Sequence, residues 1–268
     1  NAGGTARNNV CRNNGESGIG LQGQAAPTLD GNTCDGNRES GIAYFEKAGG
    51  TACNNFCRNN GLGIAARDQA APTLEGNTCE ANTVCGIAYF GNARGTARNN
   101  VCRNNGHHGI GVSEEAAPTL EGNTCEGNQP YGIYYTGNAG GAARNNVCRN
   151  NGYNGIDVHG QASPTLEGNT CEGNGCSGIA YSENAGATAR NNVCLNNGDY
   201  GIDVQGQAAP TLEGNTCEGN QHSGIAYFEN AGGTARNNVC RSNGYHGMAV
   251  RGEAGPTLEG NTCEGNKW

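Results

Sequence analysis

Twelve cysteines constrain this chain more than any other feature. They are Cys11, Cys34, Cys57, Cys79, Cys102, Cys125, Cys148, Cys171, Cys194, Cys217, Cys240 and Cys263. Every gap is 23 residues except the 22 between Cys57 and Cys79. Two phrases alternate around them, "GTARNNVCRNNG" and "PTLEGNTCEGN", so the full period is 46. A disulfide framework would show irregular spacing in a small domain, and a zinc series would show close C-x-x-C pairs. Even spacing instead puts each cysteine at the same place in successive units. A 23-residue unit is too small to bury a core alone, so the units must stack.

The composition says how. With 48 Gly, abundant Asn and no long 3.6-residue periodicity, helix is excluded. Short stretches alternate with period 2 between Gly and Asn, as in "GIAYFEKAGGTACNNFC" at 41–57. There Ile42 and Tyr44 share one face, Ala43 and Phe45 the other, and Ala52 and Cys57 follow. This describes a coil of three short strands with a turn at each corner. Coils stacked roughly 4.8 Å apart form parallel sheets, and about twelve make a rod roughly 55 Å long.

The inward residues keep a constant cross-section. Leu21 or a Val (112, 158, 204, 250) accompanies a Leu (29, 120, 166, 212, 258), while Tyr (44, 89, 135, 181, 227) accompanies Ala (52, 97, 143, 189, 235). Medium plus large alternates with large plus small, as close packing requires. Ala66 departs from the scheme in the coil that is one residue short. The cysteine column is then a stack of buried free thiols, and the three outside it, Cys53, Cys85 and Cys176, are expected to be the accessible ones. Asn stands two before and three after every ladder cysteine, where it tolerates αL and bonds to its counterpart on the next coil.

On the phrases "GIxV … PTLEGNTCEGN", with Gly-Ile, an apolar residue and Asn-rich corners, the chain resembles the right-handed parallel β-helix repeat family over essentially its whole length. The resemblance implies an all-β, right-handed solenoid of about twelve 22–23-residue coils with three short parallel sheets. That architecture carries pectate lyases, polygalacturonases and other polysaccharide enzymes, and also non-catalytic carbohydrate modules. Fold alone does not choose among them.

Most charges already have a place. Four before Cys, odd coils carry Arg except at Cys53 and even coils Asp or Glu, and one after Cys the pattern repeats except at Leu195, with Arg12 opposite Asp35 and Arg103 between Glu80 and Glu126. Each Arg is thus expected between carboxylates on neighbouring coils, and the alternation resists register slips. A net charge of −8 argues against nucleic acid as a partner.

What varies while the rest repeats is the corner five and six residues after each cysteine, with the outward side of the Gly-Ile strand. The corner offers Tyr153, Tyr200, Tyr245, His107, His108, Tyr131, His222 and His246 for stacking on, and bonding to, a glycan. The three tyrosines sit two coils apart, roughly 9.6 Å from one to the next. A catalytic reading centres on Asp157 and Asp203 in one column, again roughly 9.6 Å apart, with His159 near them. That separation lies at the edge of the range for an inverting carboxylate pair. Against it, the Asn-Thr-Asp, Asp-Asp, Gly-His-Gly and Arg-Ile-Lys motifs of polygalacturonases are absent, no outward Arg or Lys is poised as a lyase base, and two ordinary exposed aspartates would look the same. A metal reading takes Cys176, Asp199 and His222 on successive coils, but a straight column presents ligands in a line rather than a tetrahedron. Ice binding through the Thr column is disfavoured by the charged column beside it.

The expected function is a β-helix module that binds polysaccharide without cleaving it. The alternative is a polysaccharide lyase or hydrolase, and a further alternative is a rigid spacer or protein-contact solenoid. No cofactor and no membrane contact is expected. The chain starts in mid-repeat and ends on "EGNKW" without a polar cap. It is therefore expected to be one domain, 1–268, of a longer chain with other domains as neighbours, in an extracellular or bacterial cell-surface setting.

Overall fold

The computed structural model describes residues 2–268. Thirty-five short strands build twelve coils: residues 5–21, 28–44, 51–66, 73–89, 96–112, 119–135, 142–158, 165–181, 188–204, 211–227, 234–250 and 257–264, numbered here 1 to 12. They form three parallel sheets of 12, 12 and 11 strands, each strand pairing with its equivalents one coil before and one coil after. The first sheet begins at Thr5–Arg7, the second at Val10–Arg12 and the third at Ile19–Leu21. Each cysteine of the ladder pairs with the next, as Cys125 with Cys148 and Cys148 with Cys171.

The register locates the missing residue. Cys34 pairs with Cys57 at a spacing of 23, whereas Ile42 pairs with Ile64 at 22. The deletion therefore lies at the corner between the second and third sheets of coil 3. The chain crosses that corner by extending its strands, and Ser40–Tyr44 and Leu62–Ala66 have five residues where most strands have three.

The core is the predicted one. The five tyrosines Tyr44, Tyr89, Tyr135, Tyr181 and Tyr227 are fully buried with the inward Leu, Ile, Val, Ala and Cys residues. Each phenol lies beside the cysteine of the following coil, Cys57 for Tyr44 and Cys148 for Tyr135, and burial pushes its pKa up. That placement seats a large ring against the small Ala52 or Ala143, as the volume alternation requires. All fifteen cysteines are free. Ten of the ladder thiols are buried, but Cys11 is half-buried and Cys263 exposed, because the terminal coils are covered on one side only. Cys85, expected to be accessible, is buried in a small second cluster with Leu62, Ala65 and Ala88, against Phe90. A tight approach of the third sheet makes room for the cysteine column. A Cβ on Gly178 would stand 2.8 Å from both Cβ and Sγ of Cys194, so only glycine fits before the Ile.

The asparagine columns are hydrogen-bonded ladders. Asn146 donates from its backbone N (3.0 Å) and from Nδ2 (2.9 Å) to Oδ1 of Asn169, and Nδ2 also reaches the Leu120 carbonyl at 3.0 Å. Its own Oδ1 accepts the same pair of bonds from Asn123. The αL residue is the one before the ladder Asn, rather than the ladder Asn itself. There Asn and Gly alternate, with Asn99 at φ 54° and Gly122 at 63°. The reason is steric: a Cβ on Gly122 would lie 2.7 Å from Oδ1 of Asn99 on the coil below. The difference between "RNN" and "EGN" is thus a packing rule.

The charge columns form ion pairs such as Arg98–Glu75 at 2.7 Å and Arg149–Glu126 at 3.0 Å, all substantially exposed. Most arginines engage one acid rather than two. The bridging groups are acids: Asp35 between Arg12 and Arg58, and Glu213 between Arg190 and Arg236.

A carboxylate pair between two aromatic platforms

The candidate site lies on the outer face of the third sheet, where side chains alternate with the buried Ile and Tyr or Val. The pairing register lines up one outward column: Gly20, Ala43, Ala65, Ala88, Gly111, Tyr134, Asp157, Ala180, Asp203, Ala226 and Ala249. Glycine or alanine fills it except at three places, and two of those are aspartates. Small residues let this column lie under its neighbours, so a carboxylate inserted there is covered. Asp157 and Asp203 are each only 7% exposed. That cover sets them apart from ordinary exposed aspartates.

Each carboxylate is held by an amide of its own coil. Asn154 Nδ2 donates to Asp157 Oδ2 at 2.6 Å, and Asn154 Oδ1 accepts from the Ser177 backbone N at 2.9 Å, which ties Asp157 to the next coil. Gln205 Nε2 donates to Asp203 Oδ2 at 2.6 Å, while Asp203 Oδ1 is buried with no hydrogen-bond partner. Burial pushes Asp157 up to about 6, against the Asn154 bond and the charge of His159. Burial pushes Asp203 up to about 7, and the charges of Asp199 and Asp157 add to it. Loss of water disfavours the charged form, which is the expected direction for a covered carboxyl.

Aromatic platforms stand on either side along the rod. On coils 5–7, His108 stacks on Tyr131 (centroids 5.3 Å apart, planes at 10°) and lies 4.6 Å from Tyr134, and Tyr153 meets Tyr131 edge-on at 6.3 Å. His107 packs edge-on against His108. Burial and the neighbouring His107 hold His108 down at about 4, so its ring is neutral. Beside this platform, Cys85, Phe90, His108 and Tyr134 line an apolar hollow of about 190 Å³. On coils 9–11, Tyr200 contacts His222 (5.3 Å) and Phe228 (5.5 Å), and His222 meets Tyr245 edge-on at 5.3 Å. Tyr200, His222, Ser223, Tyr245 and Arg251 line a hollow of about 190 Å³.

The tyrosines do not form the single line expected. Backbone bonds run Cys176 to Tyr153, Asp199 to Cys176, His222 to Asp199 and Tyr245 to His222, so Tyr153 and Tyr245 share a column. Tyr200 is one residue further on, in the next column, turned in against Phe228. Tyr153 and Tyr245 are exposed at 55% and 45%. His246 stands at the same corner one residue beyond Tyr245. His159 is engaged at both nitrogens, Nδ1 2.8 Å from Ser182 Oγ and Nε2 3.2 Å from Glu183, so it is not free to act as a base. In the proposed metal column, His222 Nδ1 stands 3.4 Å from Asp199, and the Asp199 charge helps raise the half-buried Cys176 thiol. Among the described residues no three His, Cys, Asp or Glu side chains converge on a point that would hold a metal ion. Sequence reasoning missed Tyr134 and the positioning role of Asn154. The signal was present: "IYY" stands where neighbouring coils read "IGV" or "IAY".

Comparison with known proteins follows the fold. The family described as a right-handed beta helix region matches residues 1–146 and 115–263. A search of curated proteins by sequence finds no match. Among solved structures, the periplasmic alginate epimerase AlgG is similar with a TM-score of 0.65 at 15% identity, over 90% of this chain and 62% of that one. The A-module of the Azotobacter vinelandii mannuronan C-5 epimerase AlgE4 gives 0.64 at 14% identity, over 99% of this chain and 88% of that one. The catalytic domain of a GH87 alpha-1,3-glucanase, solved in complex with nigerose, gives 0.67 at 12% identity, over 98% of this chain and 64% of that one. The chain thus spans less than two thirds of the length of the alginate epimerase and of the glucanase domain. At these identities the likeness is one of fold. Among the described residues no helix is long and apolar enough to cross a membrane.

Proposed function

The chain belongs to the right-handed beta helix family, and on that premise we propose that its third-sheet face binds an extended polysaccharide and hydrolyses it. Asp203 is the general acid and Asp157 the general base. The observation that carries this reading is the outward column: it is glycine or alanine almost throughout, yet holds two covered carboxylates two coils apart, on either side of Ala180. Their backbones are separated by two strand spacings, about 9.6 Å, and an inverting pair places its carboxyl groups about 6.5–9.5 Å apart.

The roles follow from the environments. Asp203, the more strongly raised, keeps its proton nearer to neutrality. Its Oδ1 takes no hydrogen bond and is the oxygen that can carry the proton, and the carboxyl turns outward to deliver it to a glycosidic oxygen. Asp157 ionises first and takes a proton from a water that attacks the anomeric carbon from the opposite side. The bond from carbon to leaving oxygen breaks as the bond to water forms, and both protons are accounted for by the two carboxyls. Asn154 and Gln205 are positioning residues, each fixing one carboxylate oxygen. The aromatic platforms supply stacking surfaces for sugar rings on both sides.

Binding without cleavage, the reading preferred from sequence, is favoured by one observation: Tyr153 and Tyr245 stand on an open surface rather than in a closed cleft. A reducing-sugar assay on a panel of polysaccharides decides between the two. Release of reducing ends that Asp157→Asn and Asp203→Asn each abolish supports hydrolysis, and retention without release leaves a binding module. The similar solved structures include a periplasmic enzyme and polysaccharide-acting domains, which supports an extracellular, periplasmic or cell-surface setting for this chain too.

A further inference from the structure

We infer that the polymer bound on this face is uncharged, a neutral hexose polymer rather than a polyuronate. This rests on the polysaccharide reading above and narrows it to one substrate class.

The argument is a charge inventory. From coil 7 to the turn after coil 10 the face carries Asp157, Glu183, Asp199, Asp203 and Glu229. The arginines of the repeating columns lie on the other two sheets, where most are paired with acids. Lys47 is on the turn after coil 2 and Lys267 follows coil 12, both far along the rod from the aspartates. On this stretch of the face the permanent cation among the described residues is Arg251. It lies over the Phe228 ring at 5.9 Å, on coil 11, two coils from Asp203 and four from Asp157. His159 and His222 face Glu183 and Asp199, so protonation would neutralise those acids rather than a ligand.

A polyuronate brings one carboxylate per sugar. Laid across coils 6–10 it would set a row of negative charges over covered acids, in a medium where like charges repel more strongly than in water. Proton abstraction beside a sugar carboxylate would also need a cation or strong donors at the charge that develops, and among the described residues no Arg or Lys faces Asp157 or Ala180, while His159 beside Asp157 is held by Glu183. A neutral chain meets none of these obstacles. Its ring faces suit Tyr134, Tyr153 and Tyr245, and its hydroxyls suit Thr136, Ser182 and Gln205 in the adjacent outward column.

Affinity electrophoresis of the 268-residue chain through gels of dissolved glucan, mannan, alginate or polygalacturonate tests this, with a reducing-sugar assay alongside. The expected result is retardation by a neutral polymer, unchanged within about twofold between low and high salt because no charge is being screened. Retardation by alginate or polygalacturonate as strong as by any neutral polymer, lost about tenfold in high salt or in Arg251→Gln, overturns the inference but keeps a polysaccharide function. No retardation and no product with any polymer overturns both.

Discussion

Asp35 and Asp203 are the same residue in two regions of one rod, and they behave oppositely. Asp35 belongs to the second sheet, where the pattern repeats coil after coil. The Asn59 amide and then the Arg58 guanidinium hold its carboxyl below the usual range. Asp203 belongs to the outer face of the third sheet, where residue type changes at nearly every coil from 6 to 11. With no cation opposite, burial pushes it to about 7. The uniform sheets use charge as glue between coils, most acids answered by a base one coil away. The third-sheet face places charge where the fold does not ask for it and covers it. The difference separates residues that maintain the solenoid from residues free to do something else.

The sharpest way to break the comparison is to neutralise an acid in each region. Asp203→Asn or Asp157→Asn should lower hydrolysis by roughly 10²- to 10⁴-fold, the usual contribution of a general acid or base. Glu126→Gln in the charge column should leave the rate unchanged. A rate loss in Glu126→Gln as large as in Asp203→Asn, measured on correctly folded protein, would erase the distinction.

Next comes the reverse asymmetry, in stability. Asn146→Ala, in the buried ladder, strands both Asn123 donors and takes a donor from Asn169 Oδ1 and from the Leu120 carbonyl, and should cost about 4 kcal/mol in denaturant unfolding. Asn154→Ala on the face should cost about 1 kcal/mol while shifting the acidic limb of the pH–rate profile, because it frees Asp157. Equal losses in the two variants would show that the face is as structural as the ladder.

The pH dependence sharpens the contrast further. Asp157 and Asp203 have folded-state pKa values raised above the ordinary carboxylate value, so between about pH 4 and 7 the native state holds more protons than the unfolded chain. Their contribution falls as pH rises through about 6 and about 7. Asp203→Asn should therefore be more stable than the native sequence at pH 8, by on the order of 3 kcal/mol, and the gap should close near pH 4. Asp35→Asn should do the opposite, since a lowered carboxyl stabilises at neutral pH and loses that contribution in acid. For hydrolysis, a base near 6 and an acid near 7 give a narrow bell between them.

The remaining effects are smaller. Tyr153→Ala and Tyr245→Ala should each weaken glycan binding by about 0.5–1.5 kcal/mol, read by affinity electrophoresis, with little change in stability because both rings are exposed. Adding Tyr200→Ala should remove binding, and it should also loosen the contacts with His222 and Phe228. Smallest of all, Glu126→Gln should cost about 0.2–1 kcal/mol of stability, diminishing in high salt, as exposed pairs do.

The fold was legible because a stack copies one local solution. A spacing of 23 identified the ladder, alternation identified the inward set, and both arose from residues whose neighbours are copies of themselves. The face was legible as a place but not as an arrangement. The two aspartates and most of the aromatics stood out as departures, yet the depth of Asp157 and Asp203 depends on the small residues around them and on what the adjacent coils lay over them. Cys85 went the same way: its coil offered no sign of cover, which comes from Leu62, Phe90 and the neighbouring strands. Tyr200 was misplaced by one residue. At a corner, one residue decides whether a ring points along the rod or turns in against Phe228.

The αL corners have a consequence for how such a molecule can change length. A side-chain amide from one coil occupies the space that the glycine above leaves empty, so the coils come in two kinds that must take turns. Excising a single coil, say residues 142–164, would bring coil 6 against coil 8: Gly122 under Gly168, Leu120 beside Leu166, Glu121 facing Glu167 and Tyr135 over Tyr181. Excising 142–187 would restore these four in kind, with Gly122 against Asn191, Leu120 beside Ala189, Glu121 facing Arg190 and Tyr135 over Val204. The rod therefore has parity. Insertions and losses that leave a sound rod should come as doublets, so its length changes by even numbers of turns.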